Sequence, residues 1–106
     1  MIDQATITTA VRMLLDAAPS GSSVILFGSH ARGDAREHSD LDFLVVEPCV
    51  SSRRQESVRL RQVLRPLNIA VDVLVVSRHI FDAWRDKPNT VVYDAAREGK
   101  VFDDAA

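Results

Sequence analysis

The stretch GSHARGDAREHSDLDFL, residues 28–44, decides the architecture of this chain. It separates two runs rich in strand-forming residues, 24–27 and 41–46, by a polar loop. Such a loop interrupts a buried sheet with groups that are costly to leave without partners. The Gly-Ser turn at its start and the two aspartates at its end therefore indicate a functional role for the interruption.

Apolar periodicity outside this stretch predicts an alternation of helices and strands. The spacing of apolar residues predicts helices over 4–18, 52–67, 77–84 and 89–98. The β-branched run 69–76 predicts a third strand, and residues 100–102 a short edge strand. Asn89 is the expected N-cap of the last helix. This order predicts one small α/β or α+β domain over residues 1–106.

Composition and charge exclude several classes of protein. The chain is 46% hydrophobic and 26% charged, which is ordinary for a soluble globular domain. Its net charge of −2 provides no general attraction to nucleic acid or to anionic membranes. Cys49 is the only cysteine, which excludes an internal disulfide and fits a reducing compartment. Because no apolar run approaches a bilayer span and no signal peptide is evident, we expect a cytoplasmic protein.

Three aspartates carry the strongest functional signal. Asp40 and Asp42 are spaced i, i+2 at a strand entrance, so both project from one face about 7 Å apart. Asp72 is the only polar residue of its apolar strand, where a lone aspartate is costly to bury. Either it faces solvent, which would also expose Leu74 and Val76, or a neighbouring strand places it beside the other two. Three clustered carboxylates would suit a hard divalent cation, above all Mg²⁺.

The Gly-Ser turn supplies the second half of a nucleotide site. Gly28 ends a strand, and Ser29 opens a short helix, 29–33, whose free backbone N–H groups can bind an anion. Arg32 could contribute to a phosphate site or could tie the loop to a carboxylate at a strand end. No Gly-Lys-Ser/Thr follows the turn, so it is not a Walker A loop. Phosphate at the turn and metal at the aspartates together describe a nucleoside triphosphate bound through Mg²⁺.

These residues also fit a known motif. Gly28-Ser29, ten residues, then Asp40-Leu41-Asp42 resembles the Gly-Ser-x₁₀-Asp-x-Asp motif of the DNA polymerase β-like nucleotidyltransferase superfamily. The longer stretch GSHARGDAREHSDLDFLVV is similar to the minimal nucleotidyltransferase (MNT) group, the antitoxin halves of HEPN–MNT toxin–antitoxin pairs. The closing NTVVYDAAREGKVF resembles the usual C-terminal end of that group. The resemblance therefore extends over nearly the whole chain.

The resemblance implies a fold, a chemistry and a set of site residues. The fold would be a small mixed sheet backed by helices, like the palm of polymerase β. Catalysis would use two Mg²⁺ ions held by Asp40 and Asp42, with Asp72 as a further ligand of the catalytic ion and acceptor of a proton. The residues implied to hold the triphosphate of the ATP donor are Gly28, Ser29, Arg32 and Ser39.

Three functions compete at this point. The first is an MNT antitoxin that transfers AMP from ATP to a hydroxyl of a helical HEPN toxin. It is favoured by size, because a transferase must also hold its acceptor and the donor site uses most of this chain. The second is a small-molecule nucleotidyltransferase of the aminoglycoside-resistance type, which usually carries an extra helical domain. The third is a non-catalytic antitoxin that acts by binding alone. The acceptor, the preferred base, the oligomeric state and the role of the arginine-rich segment 53–65 stay open.

Overall fold

The computed structural model describes residues 2–103, which form a sheet with helices on both faces. The helices are α1 (Gln4–Ala17), α2 (Ser29–Arg32), α3 (Arg53–Val63), α4 (Arg78–Trp84) and α5 (Val91–Glu98). The strands are β1 (Ser23–Phe27), β2 (Leu41–Glu47), β3 (Val71–Ser77) and β4 (Lys100–Asp103). Among residues 2–103, no helix is long and apolar enough to cross a bilayer.

The sheet is mixed, with strand order β3-β2-β1-β4. β1 pairs antiparallel with both β2 and β4, and β2 pairs parallel with β3. A parallel pair requires a long crossover connection, and α3 provides it between β2 and β3. The expectation of a small mixed sheet backed by helices is confirmed.

Each face of the sheet packs on its own pair of helices. Leu41, Phe43 and Val45 of β2 are fully buried in a core cluster with α1 and α3, as their alternation predicts. The opposite face buries a second cluster beneath α4 and α5, which includes Leu44 and Phe81. This second face is the one from which Asp42 projects, because Asp42 and Leu44 are two residues apart on one strand.

The connection between α3 and β3 differs from the sequence prediction. The helix expected over 52–67 ends at Val63, and a 3₁₀ turn, Arg65–Leu67, follows it. Pro66 lacks a backbone N–H and cannot continue an α-helix, while Asn68 adopts a left-handed conformation at φ 51°. The strand therefore begins at Val71 rather than at residue 69.

The N-cap expected for the last helix is also wrong. Asn89 lies outside α5 at φ 68°, a left-handed conformation that an N-cap does not adopt. Thr90 is the cap instead, and its side-chain oxygen accepts a hydrogen bond from the backbone N–H of Tyr93 at 3.1 Å. Both residue types suit an N-cap, so residue type alone does not distinguish Asn89 from Thr90.

Candidate active site

Aspartates from two parallel strands meet at one edge of the sheet. Asp42 of β2 pairs in register with Asp72 of β3, and on its other side lies Phe27 of β1. Asp40 lies in the loop that leads into β2. We call Asp40, Asp42 and Asp72 the acid row. The register thus places Asp72 beside Asp42, and Asp40 is near enough for its charge to act on Asp42.

The sequence left open whether Asp72 faces solvent or lies beside the other aspartates, and the structure shows both features. Its side chain is exposed, and it also lies beside Asp42. Leu74 on the same face is 42% exposed, whereas Val76 is only 6% exposed in the cluster that includes Phe81 of α4. The expectation that an outward-facing Asp72 would expose Val76 is therefore wrong, because α4 covers this end of the strand.

The acid row holds more negative charge than its surroundings offset. Burial raises the pKa of Asp42, and the charges of Asp72 and Asp40 raise it further. His30 and Arg32 act in the opposite direction but are weaker influences on this pKa. The cluster is thus short of positive charge, which a divalent cation would supply.

The chemistry of the acid row suits Mg²⁺, although the ligand set is not closed. Among residues 2–103, no three side chains of His, Cys, Asp or Glu converge closely enough to hold a metal as they stand. Asp72 is exposed and Asp40 lies in a loop, so their carboxylates can turn without disturbing the core. Carboxylate oxygens are the ligands that hard divalent cations take in proteins. The residues therefore fit a divalent cation as donors.

Gly28 packs the predicted phosphate turn directly against the acid row. It adopts φ 77°, and a Cβ placed on it would collide with Oδ2 of Asp42. Only glycine meets both requirements, since it tolerates this φ and leaves room for the carboxylate. Beyond it, the backbone N–H groups of Ser29 and His30 have no hydrogen-bond acceptor within the described part of the chain. Two free donors therefore lie next to the acid row.

A glutamate that the sequence analysis missed closes the other side of the turn. Oε1 of Glu98, at the end of α5, accepts a hydrogen bond from the N–H of Gly28 at 3.2 Å. The same oxygen lies 3.1 Å from Nη1 of Arg32, whose Nε lies 3.3 Å from Asp34. Arg32 therefore ties the loop to a carboxylate, which is on a helix rather than at a strand end. Glu98 is far from the motif in sequence, so no local signal could have identified it.

The remaining loop residues brace the loop itself. The hydroxyl of Ser39 accepts a hydrogen bond from the backbone N–H of Arg36 at 2.8 Å. Nε2 of His30 lies 3.1 Å from the carbonyl oxygen of Ser39, which links the start of the loop to its end. In this arrangement Ser39 and His30 fix the shape of the loop that carries Asp40.

The glycine turn and Asp42, which belong to the Gly-Ser-x₁₀-Asp-x-Asp pattern, are in direct contact in the structure. The family comparison agrees, since residues 8–96 match the family described as the nucleotidyltransferase domain. This chain therefore belongs to the nucleotidyltransferase domain family.

Comparison with solved structures supports the same fold. A chain from the "Crystal structure of the toxin-antitoxin with AMP-PNP" is similar to this one, with a TM-score of 0.60 and 19% sequence identity. The match covers 94% of this chain and 72% of the other. The comparison with curated protein sequences finds no significant match.

Proposed function

We propose that this chain transfers AMP from ATP to a hydroxyl of a partner protein in a Mg²⁺-dependent reaction, and that the partner is a HEPN-type toxin which it neutralises. The observation that carries the proposal is the contact between Gly28 and Asp42, where no Cβ would fit. This contact places the unpaired backbone N–H groups of the turn, which can bind phosphate, beside the carboxylates of the acid row, which lack counter-charge. A triphosphate with its metal needs both groups side by side.

The triphosphate would lie along the turn. The free N–H groups of Ser29 and His30 and the hydroxyl of Ser29 can hold the β- and γ-phosphates. Gly28 allows the phosphates to approach the backbone closely. Arg32 and Ser39 would act mainly by holding the loop in place, because both are already engaged within the protein.

The acid row would hold the metal ions and the reacting proton. Asp40 and Asp42 would ligate two Mg²⁺ ions, and Asp72 the catalytic one. When bound, the ions would acidify the acceptor hydroxyl and offset charge on the departing pyrophosphate. Asp72 is suited to take the proton of the hydroxyl, because it is exposed on the β3 side of Asp42, away from the phosphate turn.

The transfer itself is a single displacement at the α-phosphorus. A bond forms between the acceptor oxygen and the α-phosphorus while the bond from that phosphorus to the bridging oxygen breaks. The electron pair of the broken bond leaves with pyrophosphate, and the hydroxyl proton passes to the carboxylate of Asp72. Atoms and charge balance without any further reactant.

A toxin partner is supported by two observations of different kinds. The proposed donor site occupies much of the described sheet, and no separate acceptor domain lies among residues 2–103, which favours an acceptor supplied by another molecule. The similar solved chain belongs to a toxin–antitoxin complex crystallised with AMP-PNP, which supports an adenine nucleotide and a toxin partner. The HEPN identity of the toxin depends on the motif resemblance.

Mass spectrometry of the partner tests the proposal. The toxin is incubated with this chain, ATP and Mg²⁺, and we expect it to gain the mass of one AMP group. Asp42→Asn should add no mass, whereas Asp16→Asn, at an exposed aspartate of α1, should behave like the wild type. A toxin that is neutralised without any gain in mass would instead assign the chain to binding alone.

A further inference from the structure

An apolar cavity of about 540 Å³ opens on the same face of the sheet as the acid row. Leu44 of β2 and Leu74 of β3 form part of its lining, together with Trp84 at the end of α4 and Val91 at the start of α5. Arg53 adds one guanidinium. A cavity of this size, mostly apolar with few polar groups, is typical of a site for a small organic ligand.

The cavity begins where the acid row ends. Leu44 and Leu74 pair in register, as Asp42 and Asp72 do, two residues earlier on the same strands. Side chains two residues apart on a strand share a face and are separated by about 7 Å. One sugar ring is therefore long enough to connect a reacting atom at the acid row to a group that lies in the cavity.

The lining residues leave apolar surface open to solvent. Leu74 and Trp84 are each 42% exposed and Val91 is 45% exposed, although all three surround one concavity. Folding does not require this exposure, and clustered apolar exposure marks binding sites. Lys87 Nζ lies 4.8 Å from the centroid of the Trp84 ring, over one of its faces, so a ligand can use the part of this surface that Lys87 leaves open.

We propose that this cavity binds the nucleobase of the donor nucleotide, with Trp84 providing aromatic contact. The inference rests on the proposed function, because it assumes a triphosphate at the Gly-Ser turn. A triphosphate that runs from Gly28 at the end of β1 to Asp42 on β2 leaves its ribose and base on the side of β3. Leu74 lies on that side.

The polar groups of the lining agree with a planar, mainly apolar ligand. The hydroxyl of Thr90 already accepts from the N–H of Tyr93 and donates to the carbonyl oxygen of Lys87. Arg53 is exposed and can meet an acceptor atom at the edge of a base. Base–aromatic contact tolerates any base, since each has a π-face.

Trp84 is the only tryptophan, so its fluorescence reports on the cavity alone. The protein is titrated with ATP and, separately, with inorganic tripolyphosphate, both with Mg²⁺. We expect both to bind and to compete with each other, but only ATP to change the Trp84 emission. ATP should also bind at least about tenfold more tightly, since tripolyphosphate lacks the base.

A neutral substitution in the cavity separates the base from the phosphates. Leu74→Gln should weaken ATP binding about tenfold and leave tripolyphosphate binding within about twofold. Val101→Gln is the control, because Val101 is 58% exposed on the same face but lies on β4, outside this cavity. Val91→Gln gives a second variant on the opposite wall if Leu74→Gln fails to fold.

The outcomes distinguish this inference from the proposed function. Equal affinity for the two ligands with an unchanged Trp84 emission would overturn the base site alone. Unchanged ATP binding by Leu74→Gln with a raised KM for the toxin would assign the cavity to the acceptor and overturn the inference. If ATP binds more tightly than tripolyphosphate but no AMP is transferred, the inference is retained and the proposed function is overturned. If neither ligand binds, both are overturned.

Discussion

Asp42 and Glu47 lie near opposite ends of strand β2, and alternation along the strand directs them to opposite faces of the sheet. Asp42 is half-buried beside two further aspartates, in the acid row. Glu47 is 2% exposed, beside Glu56 and Arg59 of α3. Both ends concentrate carboxylates, but they differ in how the negative charge is offset.

The Glu47 end has a cation of its own in Arg59, although Oε2 of Glu47 has no hydrogen-bond partner among the described residues. Arg59 pairs with Glu56 at 2.6 Å and also donates to the carbonyl oxygen of Ala17 at 2.9 Å, which joins α3 to the end of α1. Burial and the neighbouring Glu56 raise the pKa of Glu47, while Arg59 and Glu47 lower the pKa of Glu56. Glu47 therefore holds a proton more tightly than Glu56 does, and Arg59 offsets the charge of Glu56.

The Asp42 end lacks an equivalent cation among the described residues. Arg32 is the nearby guanidinium, and it is engaged by Asp34 and Glu98. The acid row therefore keeps a deficit of positive charge that an internal residue could have removed. The two ends of the strand therefore differ in charge, since Arg59 pairs with a carboxylate of the Glu47 cluster and no described guanidinium forms an ion pair with the acid row.

The largest effect expected from this contrast is on activity. Asp42→Asn should abolish transfer while leaving the fold intact, because it removes the carboxylate common to both proposed metal ions. The loss should be several kcal/mol of transition-state stabilisation, at least about a hundredfold in rate. Turnover of the toxin is measured for this variant, for Asp16→Asn and for the wild type. A rate within about tenfold of wild type would contradict the metal assignment.

The next largest effect concerns the close approach at the turn. Gly28→Ala should destabilise the protein and weaken triphosphate binding, because its Cβ would collide with Asp42 and its φ is positive. Gly33→Ala is the control, since Gly33 has φ 85° but no atom within 4 Å of the point where a Cβ would lie. Both should lose about 1 kcal/mol from the left-handed backbone. Calorimetry should show a further loss of unfolding free energy, together with weaker ATP binding, for Gly28→Ala but not for Gly33→Ala.

A pH titration sharpens the contrast from the Glu47 end. The folded protein binds the Glu47 proton more tightly than the unfolded chain does, because the pKa of Glu47 is raised to about 8. This stabilisation is complete below the ordinary glutamate range and is lost as the pH rises toward about 8. Glu47→Gln, which stays neutral, should therefore lose less stability than wild type as the pH rises from the ordinary glutamate range to about 8.

Thermal melts across that pH range measure the difference, which should be a few degrees. Glu37→Gln, at an exposed loop position, should follow the wild type at every pH. Parallel melting curves for Glu47→Gln and wild type would show that Glu47 is ionised at neutral pH and would remove the contrast between the two ends.

The smallest effect is expected at Asp72. Asp72→Asn removes one of three like charges, so it should raise the melting temperature of the metal-free protein, by about one or two degrees for an exposed group. Mg²⁺ with ATP should stabilise the wild type more than the variant, because only a state that binds ligand gains from mass action. Melts of both proteins with and without Mg²⁺ and ATP test this. A variant that is less stable without metal would refute repulsion within the acid row.

Asp42 and Asp72 could be predicted from the sequence because they lie on strands with clear apolar patterns, whereas Asp40 lies in the loop before β2. Asp42 is the only polar residue of the run 41–46, and Asp72 is the only polar residue of the run 69–76. The parallel register that joins them was an expectation that only the sheet could establish. Asn89 and Thr90 show the limit of local chemistry, since both residue types suit a cap and only the structure shows that Thr90 is the one that caps α5.

Long-range contacts could not be predicted in this way. Glu98 meets Gly28 only because α5 ends beside the turn, and neither residue carries a signal for the other. The cavity beside Leu74 and Trp84 also depends on how α4 and α5 leave part of the sheet uncovered. Periodicity predicts which face of an element is buried, but it does not predict how much of a sheet face the packed helices cover.

Label transfer from ATP tests the central claim most directly. The toxin, this chain and Mg²⁺ are incubated with ATP labelled at the α-phosphate or, in parallel, at the γ-phosphate. Nucleotidyl transfer predicts that the α-label appears on the toxin and the γ-label is released in pyrophosphate, and that Asp42→Asn yields neither. Transfer of the γ-label to the toxin, or no labelled toxin from either ATP in the presence of demonstrated ATP binding, would contradict it.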